Sequence, residues 1–359
     1  MSSEQQRKVR VALLFGGRSG EHSISAATAA GVMKAIDRDK YDVVPVGISR
    51  EGQWVLAGDD PSALELKADR LPEVTADSGR AVTGLSEVGD VDVVFPLLHG
   101  PFGEDGTIQG LLEMADVRYV GCGVLASAVG MDKHYMKLVF AGHGLPVGPY
   151  VVIPPGAWER SQSEITKRVS DELRFPVYVK PARAGSSLGV TRVDEISELA
   201  AAVEEAAFHD PKVLVEQGLE GREIECAVLG GRGGAAPRAS VPGEIVVDHA
   251  EAEFYDFEAK YLSASQARTE CPADLPSDVA EKVRDIAVRA FEAVGGEGIS
   301  RVDVFVTDAG DVTINEINTM PGFTPISMYP KMWEASGISY PQLIDELIQL
   351  ALERPLGLR

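Results

Sequence analysis

The chain has 359 residues, of which 45% are hydrophobic and 25% charged, a composition typical of a globular protein with a sizeable core. Its 34 Lys and Arg against 55 Asp and Glu give a formal charge of −21, and no Lys/Arg block occurs, which argues against a nucleic-acid partner. No apolar run approaches the roughly 20 residues of a membrane span. The run 11–15 is too short for a signal peptide, and the three cysteines are widely separated, so we expect a cytoplasmic protein without a membrane partner.

The first third of the chain predicts strands that alternate with helices. Strands are predicted over 8–15, 41–48 and 91–95, and helices from a cap at Ser23 or Ser25 to about 36 and over 107–114. This alternation indicates a parallel sheet with helices on its faces. The stretch 59–90 is polar and weakly patterned, and supports no assignment.

Two further units are predicted, so that the expected domains are 1–121, 122–219 and 220–359. The second unit combines a helical region over 124–141, strands over 174–180, 189–193 and 212–216, and a helix over 195–208 capped by Asp194. The third combines strands over 223–229, 239–247, 300–307 and 312–317 with a helix over 277–294 and two C-terminal helices.

Three glycine motifs predict chemistry that their surroundings do not support. Gly185–Gly189 matches the G-x-S-x-G turn of serine hydrolases, but a strand-like sequence follows where a helix is required. Gly121–Ala126 matches a dinucleotide fingerprint, yet no acidic residue lies about 20 positions on. Gly16–Gly20 lacks the G-K-[ST] of a phosphate loop. A serine hydrolase and a nicotinamide oxidoreductase are therefore disfavoured alternatives.

A predicted hairpin near the C-terminus carries the strongest chemical signal. Arg301 and Asp303 alternate with three valines and so share one face of a strand. Glu316 and Asn318 share one face of the next strand, and pairing of the two strands brings these side chains together. Two carboxylates and an amide suit Mg²⁺, which is normally held jointly with substrate phosphates. The alternative interpretation is a surface hairpin with polar faces.

Other segments fit a nucleotide site. Lys180 ends an apolar strand and enters a Gly/Ser loop, where a point charge and backbone N–H groups suit phosphate. Lys133 lies near a predicted helix start, a position that has meaning only beside the other segments. The strand that contains Glu216 leads into a hinge suited to adenine and to a ribose hydroxyl.

Taken in series, these segments resemble the D-alanine–D-alanine ligase family of the ATP-grasp superfamily over nearly the full chain. The shared motifs are FGGRSGEHSIS (15–25), LHGPFGEDGT (98–107), MDK (131–133), KPARAGSSLG (180–189), YDFEAKY (255–261), RVD (301–303) and NEINTMPGFT (315–324). The resemblance implies a three-domain α/β ATP-grasp fold with an N-terminal Rossmann-like parallel sheet. It also implies ligation of two D-alanine molecules through a D-alanyl phosphate, with ATP converted to ADP and phosphate, for peptidoglycan synthesis.

The resemblance implies roles for individual residues. Glu21 is expected to hold the ammonium of the first D-alanine, with His99 near its carboxylate, and Ser186 and Tyr261 to link back to Glu21. Arg301 and the N–H of Gly322 are expected to stabilise the oxyanion, and Ser327 to contact the second substrate. The expected ATP contacts are Lys133, Lys180, Ser186, Ser187, Glu216, Leu219, Glu223, Lys260, Asn315 and Glu316. The expected ligands of two Mg²⁺ or Mn²⁺ ions are Asp303, Glu316 and Asn318.

Further properties implied by the resemblance are a homodimer and a monovalent cation such as K⁺. Because Tyr261 is retained, the resemblance favours an amide product over the D-alanyl-D-lactate ester made by some relatives. A D-alanine–D-lactate ligase and a noncatalytic nucleotide-binding protein are the alternatives. The base for the second amine is open between the departing phosphate and Tyr261.

Overall fold

The computed structural model describes residues 7–66, 71–247 and 267–356. Its strands are β1 (Val9–Gly16), β2 (Tyr41–Ile48), β3 (Trp54–Ala57), β4 (Gly79–Val82), β5 (Val93–Pro96), β6 (Tyr150–Ile153), β7 (Val177–Pro181), β8 (Thr191–Val193), β9 (Val213–Gln217), β10 (Arg222–Leu229), β11 (Arg238–Ala239), β12 (Gly243–Val247), β13 (Ala267–Glu270), β14 (Ile299–Val306) and β15 (Val312–Asn318). Its α-helices are α1 (His22–Ala35), α2 (Thr107–Met114), α3 (Val124–Met131), α4 (Lys133–Gly142), α5 (Ala157–Glu172), α6 (Leu199–His209), α7 (Ser277–Ala293), α8 (Met328–Ala335) and α9 (Tyr340–Glu353). The α/β class predicted from the sequence is confirmed.

The first sheet has the order β4-β3-β2-β1-β5. Strands β2, β1 and β5 are parallel, as predicted, whereas β3 and β4 add an antiparallel edge. The side chains of β1 alternate between two apolar layers, with Leu13 packed towards α1 and Leu14 towards α2. Since both faces of β1 are covered, its nearly continuous apolar sequence is that of a central parallel strand. The loops that follow β1 and β5 leave the carboxyl edge of this sheet, where α/β proteins bind ligands.

The second sheet has the order β6-β9-β7-β8 and is antiparallel. Helices α5 and α6 cover it with a small apolar core. The sequence analysis did not predict α5, because its sequence is mostly polar and only Ile165 and Val169 are buried.

The third sheet follows the order β13-β12-β10-β14-β15, with β11 paired to β10. Strands β14 and β15 form the predicted antiparallel hairpin. Val302, Val304 and Val306 face the apolar core that contains α7, as the alternation predicted. The opposite face of β14 is therefore free to present charged side chains.

Three helix boundaries differ from the predictions. Helix α1 starts at His22 with Glu21 at its N-cap, because the Ser25 hydroxyl is used inside the fold, where it accepts from Gly16 N (2.8 Å) and donates to Leu97 O (2.6 Å). The region 124–141 is two helices, broken at Asp132. A 3₁₀ turn with its N-cap at Glu195, rather than Asp194, precedes α6.

None of the helices that the structure describes combines the length and the apolar character needed to cross a membrane.

Candidate active site

The Glu21 carboxylate lies where loops from two sheets meet. Ser186, in the loop between β7 and β8, donates a hydrogen bond to Glu21 Oε1. Gly100, in the loop after β5, has φ of +70°, and a Cβ built on it would lie 2.4 Å from Glu21 Oε2. A Cβ on Gly185 would lie 3.0 Å from the same oxygen. Glycine at these two positions therefore allows both loops to approach the carboxylate.

His99 is a buried neutral imidazole that joins the first sheet to the loop after β15. Its Nδ1 donates to Met320 O at 3.0 Å, and its Nε2 accepts from the Thr28 hydroxyl at 3.3 Å. Burial lowers the pKa of His99, against the opposing effect of the Glu21 carboxylate and the Met320 carbonyl. The imidazole thus lies near enough to Glu21 for the carboxylate charge to act on it, and its hydrogen bond fixes the position of Met320.

Glu104 contacts the same loop, and the sequence analysis did not single it out. Its Oε1 accepts from Gly100 N at 2.7 Å and its Oε2 accepts from Met320 N at 3.4 Å. Burial and the neighbouring carboxylates of Glu21 and Glu316 raise the pKa of Glu104 to about 8. The residue lies five positions after His99 in the LHGPFGED motif, and that proximity was the available signal.

Lys180 and Glu216 face each other from the paired strands β7 and β9. Lys180 Nζ lies 2.8 Å from Glu216 Oε2, and Lys137 Nζ lies 3.4 Å from Glu216 Oε1. Burial alone would raise the pKa of Glu216, but the ammonium groups of Lys180 and Lys137 outweigh burial and hold that pKa below its ordinary value. Lys137 is a second residue that the predicted site did not include.

Lys133 links the second and third sheets. Its Nζ donates to Ala184 O at 2.8 Å and lies 3.5 Å from Glu316 Oε2. Its backbone N–H donates to Ala182 O at 3.0 Å, so that the start of α4 is bound to the Gly/Ser loop. The two predicted phosphate lysines, Lys133 and Lys180, thus both lie beside the start of that loop.

The hairpin face predicted from the sequence is present. Asp303 is opposite Glu316 and Arg301 is opposite Asn318 in the β14–β15 register. Arg301 donates to both oxygens of Asp303, at 2.7 and 2.6 Å, and lies 3.3 Å from Glu225 of β10. Burial would lower the pKa of Arg301, but the carboxylates of Asp303 and Glu225 raise it well above its ordinary value. The guanidinium is therefore a permanent positive charge at this face.

The same face fits a divalent cation. Asn318 Nδ2 donates to Asp303 Oδ2 at 3.0 Å, which brings the predicted amide and carboxylate together. Within residues 7–66, 71–247 and 267–356, no three His, Cys, Asp or Glu side chains form a metal-binding group. The predicted set has two carboxylates and an amide, in keeping with Mg²⁺ that is held jointly with phosphates.

Gly322 and Ser327 lie in the loop between β15 and α8, whose start is bound by His99 and Glu104. The Ser327 hydroxyl lies 2.7 Å from Thr324 Oγ1 and accepts from Thr324 N at 3.1 Å. Ser327 thus closes a turn just before α8.

The remaining predicted residues are distributed over the second and third sheets. Leu219 lies between β9 and β10 and packs on Gly148, where an added Cβ would be 3.0 Å away. Glu223 belongs to β10, and Asn315 lies at the register shift of β15. Ser187 has φ of +57°, in the left-handed region that side chains rarely adopt. Lys260 and Tyr261 lie outside the described residues.

Two family models cover most of the chain. The model described as D-ala D-ala ligase N-terminus matches residues 10–122, and the model described as D-ala D-ala ligase C-terminus matches residues 139–349.

Curated relatives and solved structures point to the same family as the two family models. The D-alanine–D-alanine ligase of Paenarthrobacter aurescens is 60% identical, covering 98% of this chain and 97% of that protein. That of Kineococcus radiotolerans is 56% identical, covering 99% of each. The D-alanine–D-alanine ligase structure from Coxiella burnetii has a TM-score of 0.80 at 37% identity, covering 96% of this chain and 94% of that one. The VanG D-Ala:D-Ser ligase of Enterococcus faecalis has a TM-score of 0.81 at 34% identity, covering 96% and 100%.

The architecture of three sheets and the two family models define an ATP-dependent ligase with the ATP-grasp fold. Within that class, the chain belongs to the D-alanine–D-alanine ligase family. The resemblance inferred from the motifs is confirmed.

Proposed function

We propose that the chain joins two D-alanine molecules into D-alanyl-D-alanine while ATP is converted to ADP and phosphate. The observation that carries this proposal is the convergence of Glu21, with its Ser186 partner, on the same junction as the Lys133–Glu316 pair. An ammonium-binding carboxylate thereby lies beside a phosphate- and metal-binding face. The names of the relatives that are 52–60% identical support the same reaction.

In the first step, a carboxylate oxygen of the first D-alanine attacks the γ-phosphorus of ATP, and ADP leaves. Lys133 and Lys180 offer positive charge to the phosphates, which is the main requirement in phosphoryl transfer. Asp303, Glu316 and Asn318 would hold Mg²⁺, or Mn²⁺ in its place, and the bound metal supplies neutralising charge at the phosphates. Glu216, Leu219, Glu223, Ser187, Lys260 and Asn315 are the further ATP contacts that we propose.

In the second step, the amine of the second D-alanine attacks the acyl carbon, the bond to phosphate breaks, and the departing phosphate or Tyr261 takes the proton that the nitrogen loses. The oxyanion forms beside Arg301, whose fixed guanidinium can stabilise it together with the N–H of Gly322. Glu21 holds the ammonium of the first D-alanine, and Ser186 orients Glu21, with Tyr261 as the third member of that chain. His99 lies near the first carboxylate, and Ser327 contacts the second.

The acceptor is assigned to D-alanine by the identity of the relatives. The D-Ala:D-Ser ligase is 34% identical, whereas the D-alanine–D-alanine ligases reach 60%. Equal amounts of D-alanine, D-serine and D-lactate offered with ATP are expected to give mostly D-alanyl-D-alanine at neutral pH. A majority of D-alanyl-D-lactate or D-alanyl-D-serine would overturn this assignment.

We further propose three units, 1–121, 122–219 and 220–359, each built on one of the three sheets. We also propose that the enzyme is cytoplasmic and uses ATP there.

A homodimer is proposed as well, because α2 and α3 pack together and expose apolar side chains such as Met114 and Leu125. Activation by K⁺ stays a prediction, which a comparison of rates in KCl and NaCl tests.

Phosphate release from MgATP with D-alanine, with L-alanine and without an amino acid tests the reaction. Release that requires D-alanine, with a dipeptide detected by mass, is expected. If the folded protein binds ATP but releases phosphate with neither alanine, the proposed substrate is wrong.

A further inference from the structure

Lys137 is a buried cation one turn along α4 from Lys133, and the proposed function gives it no role. Its side chain is 2% exposed, and its Nζ lies 3.4 Å from Glu216 Oε1 and 5.8 Å from the centre of the Tyr150 ring. Burial lowers the pKa of Lys137, while the Glu216 carboxylate opposes this change. Because a buried ammonium group requires a partner of opposite charge, the role of Lys137 has to act through Glu216.

Glu216 holds two lysines at once. Lys180 Nζ is 2.8 Å from Oε2, and the other oxygen faces Lys137. Glu216 is only 7% exposed, so water cannot stabilise the charge of its carboxylate in place of these two ammonium groups. The carboxylate is therefore kept ionised by its two lysines together.

The two lysines differ in their access to solvent. Lys180 lies near the end of β7, just before the Gly/Ser loop, and its side chain is 12% exposed. The side chain of Lys137 is 2% exposed and belongs to a helix. A phosphate chain can therefore contact Lys180 but not Lys137. When Lys180 binds phosphate, its ion pair with Glu216 weakens, and the buried carboxylate needs a second cation to neutralise its charge.

We propose that Lys137 is a positioning residue for ATP binding: it neutralises Glu216 so that Lys180 can engage the phosphates. The proposal rests on the proposed function only in that Lys180 contacts ATP. It differs from a purely structural role, because a Lys137 that merely fills space could be replaced by an apolar side chain of similar length.

The test measures the dissociation constant of a fluorescent N-methylanthraniloyl ATP analogue, together with KM for ATP and for D-alanine. In Lys137→Met, the affinity for the nucleotide is expected to fall about tenfold or more, because Glu216 then retains Lys180. KM for D-alanine stays near that of the unsubstituted enzyme. Lys137→Arg keeps the charge and restores most of the affinity. Lys167→Met, which removes an exposed lysine paired with Asp171, is the matched control and leaves the nucleotide affinity unchanged.

A double variant separates compensation of charge from folding. If Lys137 acts through the charge of Glu216, it is dispensable once that charge is removed. Lys137→Met/Glu216→Gln should then bind the nucleotide as well as Glu216→Gln alone, a comparison that holds even where Lys137→Met by itself does not fold. An affinity of Lys137→Met within about twofold of the unsubstituted enzyme, or additive losses in the double variant, would overturn the proposal.

The binding readout also distinguishes this proposal from the proposed function. Failure of the unsubstituted enzyme to ligate D-alanine, with normal nucleotide binding, would overturn the substrate and leave the Lys137 result valid. Ligation of D-alanine with an unchanged nucleotide affinity in Lys137→Met would overturn the role of Lys137 and leave the proposed function intact.

Discussion

At the residue scale, Gly100 shows how one missing side chain makes room for the Glu21 carboxylate. Its φ of +70° belongs to the left-handed region, and a Cβ there would lie 2.4 Å from Glu21 Oε2. Gly144 has nearly the same φ, +68°, with no atom within 4 Å of an added Cβ among the described residues. The two glycines therefore share the same backbone requirement but differ in what surrounds them.

Gly100→Ala is expected to raise KM for D-alanine about tenfold or more, because the new methyl group displaces the Glu21 carboxylate. Both Gly100→Ala and Gly144→Ala should lower the free energy of unfolding by about 1 kcal/mol, since each puts a Cβ in the left-handed region. Steady-state kinetics and urea unfolding check this pair. A normal KM in Gly100→Ala, or a raised KM in Gly144→Ala, would contradict the placement of Glu21.

His99 gives a prediction for pH. Burial lowers its pKa below the ordinary 6.5, so that below pH 6.5 the unfolded chain takes up a proton that the folded protein does not. The unfolding free energy should then fall by about 1.4 kcal/mol per pH unit as the pH drops below 6.5 because of this residue.

His99→Gln should remove the contribution of about one proton to the pH dependence of the unfolding free energy. His143→Gln, at an exposed histidine, is the control. Urea unfolding between about pH 5 and pH 8 measures both. If the unfolding free energy of His99→Gln changes with pH in parallel with that of the unsubstituted protein, the assignment of His99 as a buried neutral histidine is wrong.

At the element scale, α4 carries two of the lysines of the site and depends on its cap. Asp132 accepts hydrogen bonds from the backbone N–H groups of His134 (3.2 Å) and Tyr135 (3.3 Å). Its other oxygen lies 2.5 Å from Lys212 Nζ. The break between α3 and α4 is thus held by one carboxylate that serves both as a cap and as an ion-pair partner.

Asp132→Ala is expected to lower the free energy of unfolding by about 2–3 kcal/mol and to raise KM for ATP, since Lys133 follows the cap directly. Asp132→Asn keeps a capping oxygen and should lose less. Chemical denaturation and ATP titration of the two variants test the role of the cap. Equal losses in both would mean that the ion pair alone matters.

The elements also show what the sequence could predict. The β14–β15 hairpin was predictable, because polar and apolar residues alternate along both strands around a short turn, whereas the register shift between Asp303 and Val304 was not. Helix α5 was not, because only two of its residues are buried and its sequence is mostly polar. The cap of α1 was misplaced because a serine can bond inside a fold as well as cap a helix.

The same limit applies to the site. Asp303, Glu316 and Asn318 follow from local alternation, and the motif resemblance supplied Glu21 and Ser186. Lys137 and Glu104 were missed because their partners, Glu216 and Met320, are 79 and 216 positions away in the sequence, so that only the tertiary structure shows the contacts. The resemblance also supplied Tyr261 and Lys260, whose roles stay predictions.

At the scale of the whole molecule, the candidate site draws residues from all three sheets, and apolar side chains are exposed where α2 and α3 pack together. Met114 on α2 is 91% exposed and Leu125 on α3 is 71% exposed, and the two helices pack together. Exposed apolar patches of this kind mark interaction surfaces. They support the proposed homodimer rather than catalysis.

Met114→Glu/Leu125→Glu is expected to convert a dimer of twice 38.3 kDa into a monomer of 38.3 kDa, as measured by sedimentation velocity. Phe208→Glu, at another exposed apolar residue on α6, is the control and should stay dimeric. A monomeric unsubstituted protein, or a double variant that stays dimeric, would contradict this interface.

The central claim is that ATP activates the carboxylate of the first D-alanine as an acyl phosphate, which the second amine then attacks. D-alanine labelled with ¹⁸O in its carboxylate tests this directly, because the oxygen that attacks the γ-phosphorus leaves with the phosphate. Mass analysis of the released phosphate should find one labelled oxygen for each dipeptide formed. Dipeptide formed with unlabelled phosphate would contradict the account.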